Sequence, residues 1–143
     1  MAYSGAVDRR LNLLQREVFF AGKVIFREGE KGVRAYLIET GQVEIWREEG
    51  GERQRLGVIG EGGIFGEMAL IDNEPRMASA TAVTETSCVI VPEDVFQKKL
   101  DAADPFVIAL LRIFVANIRS ITPHRRATDR PATASTTEPA AQS

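Results

Sequence analysis

Cysteine and histidine each occur once in the 143 residues, as Cys88 and His124. A single cysteine cannot close an intramolecular disulfide, and the N-terminus lacks the basic-then-apolar pattern of a secretory leader; both point to a reducing, cytoplasmic setting. His124 lies in a stretch rich in Pro, Thr, Ser and Ala, so a histidine-ligated metal centre is excluded. No apolar run reaches membrane-spanning length, and membrane insertion is not expected. Excess positive charge is missing as well: 18 Lys and Arg against 20 Asp and Glu give a net charge of −2, with no global basic footprint for nucleic acid. No Ser/His/Asp, Cys/His or paired-carboxylate arrangement stands out, so the expectation is a binding protein and not an enzyme. With 44% hydrophobic and 27% charged residues, the length fits one globular domain plus tails.

What the chain does have is a distinctive stretch from Gly60 to Ala82. Gly60, Gly62, Gly63 and Gly66 let the backbone come close to a neighbour, and Glu67-Met68-Ala69-Leu70-Ile71 has the composition of one short helical turn, whose first N–H groups attract an anion. Pro75 is expected to stop that turn, and Arg76 opens a run of small and β-branched residues that reads as a strand. A carboxylate and a guanidinium thus bracket an anion cradle. Together they suit a ligand carrying a phosphate, which takes the guanidinium fork, beside ribose hydroxyls, which take a carboxylate acceptor.

Along the chain, Val7, Leu11, Leu14 and Val18 recur at helical spacing and predict a short helix around Asp8 to Arg16. Phe19 to Phe26 reads as two short strands meeting at Gly22, with a turn from Glu28 to Gly32. Strands follow over Ala35–Thr40, Gln42–Arg47 and Arg55–Ile59, then over Ala78–Val83 and Ser87–Val91. Trp46, on the charged side of its strand, is expected at a partly exposed edge or against the terminal helices, and Cys88 in the core. Pro92-Glu93-Asp94 starts a helix to about Leu100; Asp104-Pro105 starts another, whose Phe106, Leu110, Phe114, Ile118 and Ile121 form an apolar stripe that must be buried. Beyond Pro123 there is no apolar periodicity, and Arg125-Arg126-Ala127-Thr128 reads as a cationic tail resembling a kinase site.

Phe65-Gly66-Glu67-Met68-Ala69-Leu70, a four-residue spacer and Pro75-Arg76-Met77-Ala78-Ser79 resemble the phosphate-binding cassette of the cyclic nucleotide-binding domain family. That family includes the bacterial catabolite activator protein, protein kinase A regulatory subunits and cyclic-nucleotide-gated channels. The resemblance implies a mainly β fold with flanking helices. It would be an antiparallel β-roll, jelly-roll-like (a double-stranded β-helix), with an N-terminal helix and C-terminal B and C helices, occupying residues 7–122. Residues 1–6 would be a flexible N-terminus and 123–143 a disordered tail. It also implies a ligand site of Phe65, Gly66, Glu67, Met68, Ala69, Leu70, Arg76, Met77 and Ala78. There Glu67 accepts from the ribose 2′-hydroxyl, Arg76 pairs with the phosphate, and the others supply backbone N–H groups or room. Relatives place a residue of the last helix over the base, for which Arg112 and Asn117 are the candidates.

Family members that prefer cyclic GMP often carry Thr immediately after the arginine; Met77 favours cyclic AMP and leaves cyclic GMP open. The implied function is a stand-alone cyclic AMP sensor without a cofactor. It repositions its C-terminal helix to regulate an unidentified effector protein, and a homodimer through that helix is open. No reading head for nucleic acid is expected. Two alternatives stand beside this: a ligand-free interaction or dimerisation module of the same fold, and a sensor of another small effector.

Overall fold

Short runs of β-branched and aromatic residues, cut off by glycine turns, set the architecture. In the computed structural model, which describes residues 14–121, they form β1 (Arg16–Phe19), β2 (Val24–Phe26), β3 (Arg34–Thr40), β4 (Val43–Glu49), β5 (Glu52–Ile59), β6 (Ile64–Phe65), β7 (Ser79–Ala82) and β8 (Thr86–Pro92). Helix α1 (Met68–Asp72) interrupts them, and α2 (Glu93–Asp101) and α3 (Pro105–Ile121) follow. Two four-stranded antiparallel sheets, ordered β1-β8-β3-β6 and β2-β7-β4-β5, make the roll that the sequence predicts. No helix of the described residues is long and apolar enough to cross a membrane.

Residues of both sheets meet in one core of Phe19, Phe26, Tyr36, Ile38, Val43, Phe65, Ala80, Ala82, Cys88 and Ile90. Its aromatic part is tightly coupled: Tyr36 stacks on Phe65 at 4.8 Å between ring centroids, and Phe26 lies about equally close to both, at 5.9 and 6.0 Å. A smaller cluster of Ala35, Leu70 and Val91 fixes α1 and α2 to the roll. At Gly41, between β3 and β4, φ is +102° and a Cβ would come within 2.6 Å of the Glu85 carbonyl oxygen, so both the turn and its packing demand glycine.

Several boundaries differ from the sequence reading. Arg16 and Val18 belong to strand β1, paired with Val89 and Ser87, and Leu14 and Gln15 before them are not helical either; residues 8–13 of the predicted N-terminal helix lie outside the described residues. So do residues 1–6, His124, the Arg125–Thr128 motif and the predicted tail. Asn73, in the left-handed region at φ 58°, ends α1 two residues before Pro75. Strand β5 starts at Glu52 because the β4–β5 hairpin pairs to its tip, Glu49 opposite Glu52. It is an edge of its sheet, and its first four residues, Glu52, Arg53, Gln54 and Arg55, are all exposed.

Trp46 is buried, with 8% exposure, against the expectation of an exposed edge. Its indole N–H donates to Thr81 Oγ1 at 2.8 Å, and the Arg53 guanidinium covers the ring at 4.0 Å. Period-two reasoning failed because β4 lies between β7 and β5 and both its faces are covered. Thr81→Val would leave a buried indole N–H without an acceptor. The expected loss is about 1–3 kcal/mol in urea unfolding followed by fluorescence of this single tryptophan, with Thr81→Ser recovering most of it.

Candidate functional site

Arg76 sits at the start of the segment leading into β7, with its backbone held in both directions: its N–H donates to the Glu30 carbonyl and its own carbonyl accepts from the Gly29 N–H, each at 2.8 Å. The turn from β2 to β3 thereby fixes where the side chain can go. That turn comes close enough that a Cβ at Gly32 would meet Ala69 Cβ at 2.6 Å and Arg76 Cζ at 3.1 Å. The sequence reading had treated Glu28–Gly32 only as a turn; a glycine on each side of a charged pair was the one signal of a close approach.

The Arg76 guanidinium is buried, with the residue 5% exposed, and lies 3.9 Å over the Phe26 ring. Nη1 donates to the Gly66 carbonyl at 2.7 Å and Nη2 to the Arg34 carbonyl at 2.8 Å, while Nε is buried with no partner. No carboxylate of the described residues forms an ion pair with it. Burial is the main reason its pKa is lowered. A buried cation held only by carbonyl dipoles is costly unless an anion completes its shell.

Glu67 precedes α1 as its N-terminal cap residue but makes no capping bond through its side chain. Burial raises its pKa above the ordinary 4.5, with a backbone hydrogen bond and the charge of Arg76 pulling the other way. Both charges therefore face one cavity of about 180 Å³, lined by Phe65, Gly66, Glu67, Met68, Ala69, Arg76, Met77 and Ala78 together with the apolar Ile45, Ile59 and Ile64 of the roll. A larger groove of about 800 Å³ adjoins it, sharing Arg76, Met77 and Arg119.

Of the predicted site residues, Leu70 alone among the cassette is turned away. It packs with Ala35 and Val91, and its N–H is spent on the Glu67 carbonyl at 3.0 Å. Neither Arg112 nor Asn117 lines the cavity, and both are exposed. The helix residue that does is Arg119, which sequence reasoning missed. Helical geometry explains why: Asn117 points roughly 200° away around the helix, and Arg112 lies on a similar face but about 10 Å further along it. Only a rule matching the helix face to the cassette would have selected Arg119.

The apolar stripe is also placed differently. Phe106, Leu110, Phe114, Ile118 and Ile121 all face outward, Phe106 at 71% and Ile121 at 78% exposure, while Val115 is the buried residue, flanked by the half-buried Ile108, Leu111 and Arg119. Helix α3 is apolar nearly all round, so periodicity could not choose its inner face; the ion pair of Arg119 with Asp72 of α1 does.

Comparison with known proteins gives a consistent picture. Residues 16–103 match the family described as Cyclic nucleotide-binding domain. The chain is 42% identical over 81 residues to the cyclic AMP receptor protein of Thermus thermophilus, covering 56% of this chain and 38% of that protein. It is 34% identical over 93 residues to the cAMP-dependent protein kinase regulatory subunit of Yarrowia lipolytica, covering 65% and 24%. Among solved structures, the EAL enzyme Bd1971 in cAMP-bound and cGMP-bound forms superposes with a TM-score of 0.71 and 38% identity, covering 73% of this chain and 28% of that one. The chain thus spans well under half the length of each of these relatives.

The raised pKa of Glu67 has a measurable consequence. Its charged form is disfavoured in the folded chain, so above its folded value Glu67 subtracts from stability, and the penalty fades as pH falls toward 4.5. Glu67→Gln should therefore be more stable than the natural protein in urea at pH 7, and the gap should close on acidification toward that value.

Proposed function

Since the chain belongs to the cyclic nucleotide-binding domain family, we propose that it binds cyclic AMP in the cassette cavity and transmits its occupancy through α3 to a partner protein. The observation that carries this reading is Arg76: a buried guanidinium with a free Nε–H and no carboxylate partner among the described residues, at the wall of a cavity that Glu67 also lines.

A cyclic phosphate fits the first of these groups, because its exocyclic oxygens accept from a planar fork and cancel the buried charge. A ribose hydroxyl fits the second, because it donates to a carboxylate that lacks a side-chain cap bond. Ribose and phosphate would occupy the small cavity, and the purine would extend past Met77 into the adjoining groove under α3. Met77 offers the base no hydroxyl, which favours cyclic AMP over cyclic GMP. The role is regulatory binding: Arg76 and Glu67 orient and neutralise a ligand, and no step of bond cleavage is assigned to them. The outward row of α3, from Phe106 to Ile121, is the output surface, taken by an effector protein or a second copy of the chain.

Calorimetric titration tests the site. Cyclic AMP should bind more tightly than cyclic GMP, and Arg76→Ala should weaken binding by roughly 2–5 kcal/mol, with Arg76→Lys recovering only part because it lacks the fork. Equal affinity of the natural protein and Arg76→Ala would remove Arg76 from the site. A second arm uses 2′-deoxy cyclic AMP: it should bind less well to the natural protein but lose little further on Glu67→Gln, as expected of two groups in contact.

A further inference from the structure

Arg119 grips the end of the cassette at three points. Its Nε and Nη2 donate to the two carboxylate oxygens of Asp72, the latter at 3.1 Å, and Nη1 donates to the Pro75 carbonyl at 3.1 Å. Asp72 is the last residue of α1, where a carboxylate adds to the negative end of the helix, so a cation there is favoured. The same carboxylate accepts from the Glu74 N–H at 3.0 Å, which makes Asp72 to Pro75 one tied turn. Both partners of the ion pair are mostly buried, at 19% exposure each, so the pair is screened less than a surface bridge.

The Pro75 carbonyl is the oxygen of the peptide bond that leads into Arg76. The N–H of that same bond donates to the Glu30 carbonyl. One planar unit is therefore held from one side by Arg119 of α3 and from the other by the turn between β2 and β3. Any shift of Arg76 that tilted this plane would move the oxygen that Arg119 holds. Val115 is the one buried residue of α3 among those described, and the outward apolar row from Phe106 to Ile121 is exposed.

We propose that Arg119 is the positioning residue that couples α3 to the cassette, so that the state of Arg76 sets how firmly the helix is held. The inference rests on reading the cavity as a cyclic nucleotide site, and it adds the residue through which the signal leaves. Arg119 acts here through Asp72 and Pro75, and its contact with the ligand is not required.

Hydrogen exchange on the full chain separates the two ideas. In nucleotide-free protein, Arg119→Ala should speed exchange across 105–121 by about tenfold or more while leaving β3 and β8 unchanged. With saturating cyclic AMP, the natural protein should gain protection in both 62–82 and 105–121, and Arg119→Ala in 62–82 alone. Arg119→Lys, which keeps a cation for Asp72 and a donor for the Pro75 carbonyl without the fork, should retain part of the response of α3. A full response of α3 in Arg119→Ala, or Arg119→Lys no better than Arg119→Ala, would overturn the coupling. If the natural protein took up no cyclic AMP, the reading of the site would fall and the coupling with it. The nucleotide-free arm is independent of that result: unchanged exchange of α3 in Arg119→Ala would by itself show that Arg119 does not hold the helix.

Discussion

A guanidinium kept out of water without a carboxylate beside it is the constraint around which the described chain is arranged. Arg76 stands on the Phe26 ring, is held by the carbonyls of Gly66 and Arg34, and has its backbone clamped by Gly29 and Glu30. Each of these contacts comes from a different part of the chain: β2, the start of β3, the turn between them, and the loop before α1. The aromatic core of Phe26, Tyr36 and Phe65 is the floor beneath that charge, so packing in the roll and placement of the cation are one problem. A fold selected for stability alone would neutralise such a group or expose it. The raised pKa of Glu67 across the cavity is a second local cost of the same kind, and costs of this kind gather at binding sites.

Much of this was legible in the residues. Short β-forming runs between turns pointed to a sandwich or barrel, which the resemblance of the cassette narrowed to a roll, and residue type and spacing singled out Glu67 and Arg76, which line one cavity. The errors came where tertiary contacts choose between locally equal options. Trp46 looked exposed because its neighbours Glu44 and Arg47 are charged. Both are in fact buried and paired, Glu44 with Arg53 and Arg55, Arg47 with Glu28, so polarity did not mark the solvent face. Helix α3 has apolar residues on every side, and the face turned inward was decided by Arg119, a charge that periodicity assigns to solvent. Leu70 sits inside the motif yet serves the core, because a helical turn must point some of its residues back into the protein.

The relatives are a receptor, a kinase regulatory subunit and an EAL enzyme, and this chain covers only part of each. In the proposed role of α3 a light hold is the requirement, because a ligand shifts an equilibrium only by its difference in affinity for the two arrangements.

Strand β5 bears on how such a protein can associate. It leaves a row of backbone groups unpaired at the rim of its sheet, and the exposed Glu52, Arg53, Gln54 and Arg55 run along it. Lateral addition of another strand would bring these charges against whatever docks, which discourages growth of sheet upon sheet without end.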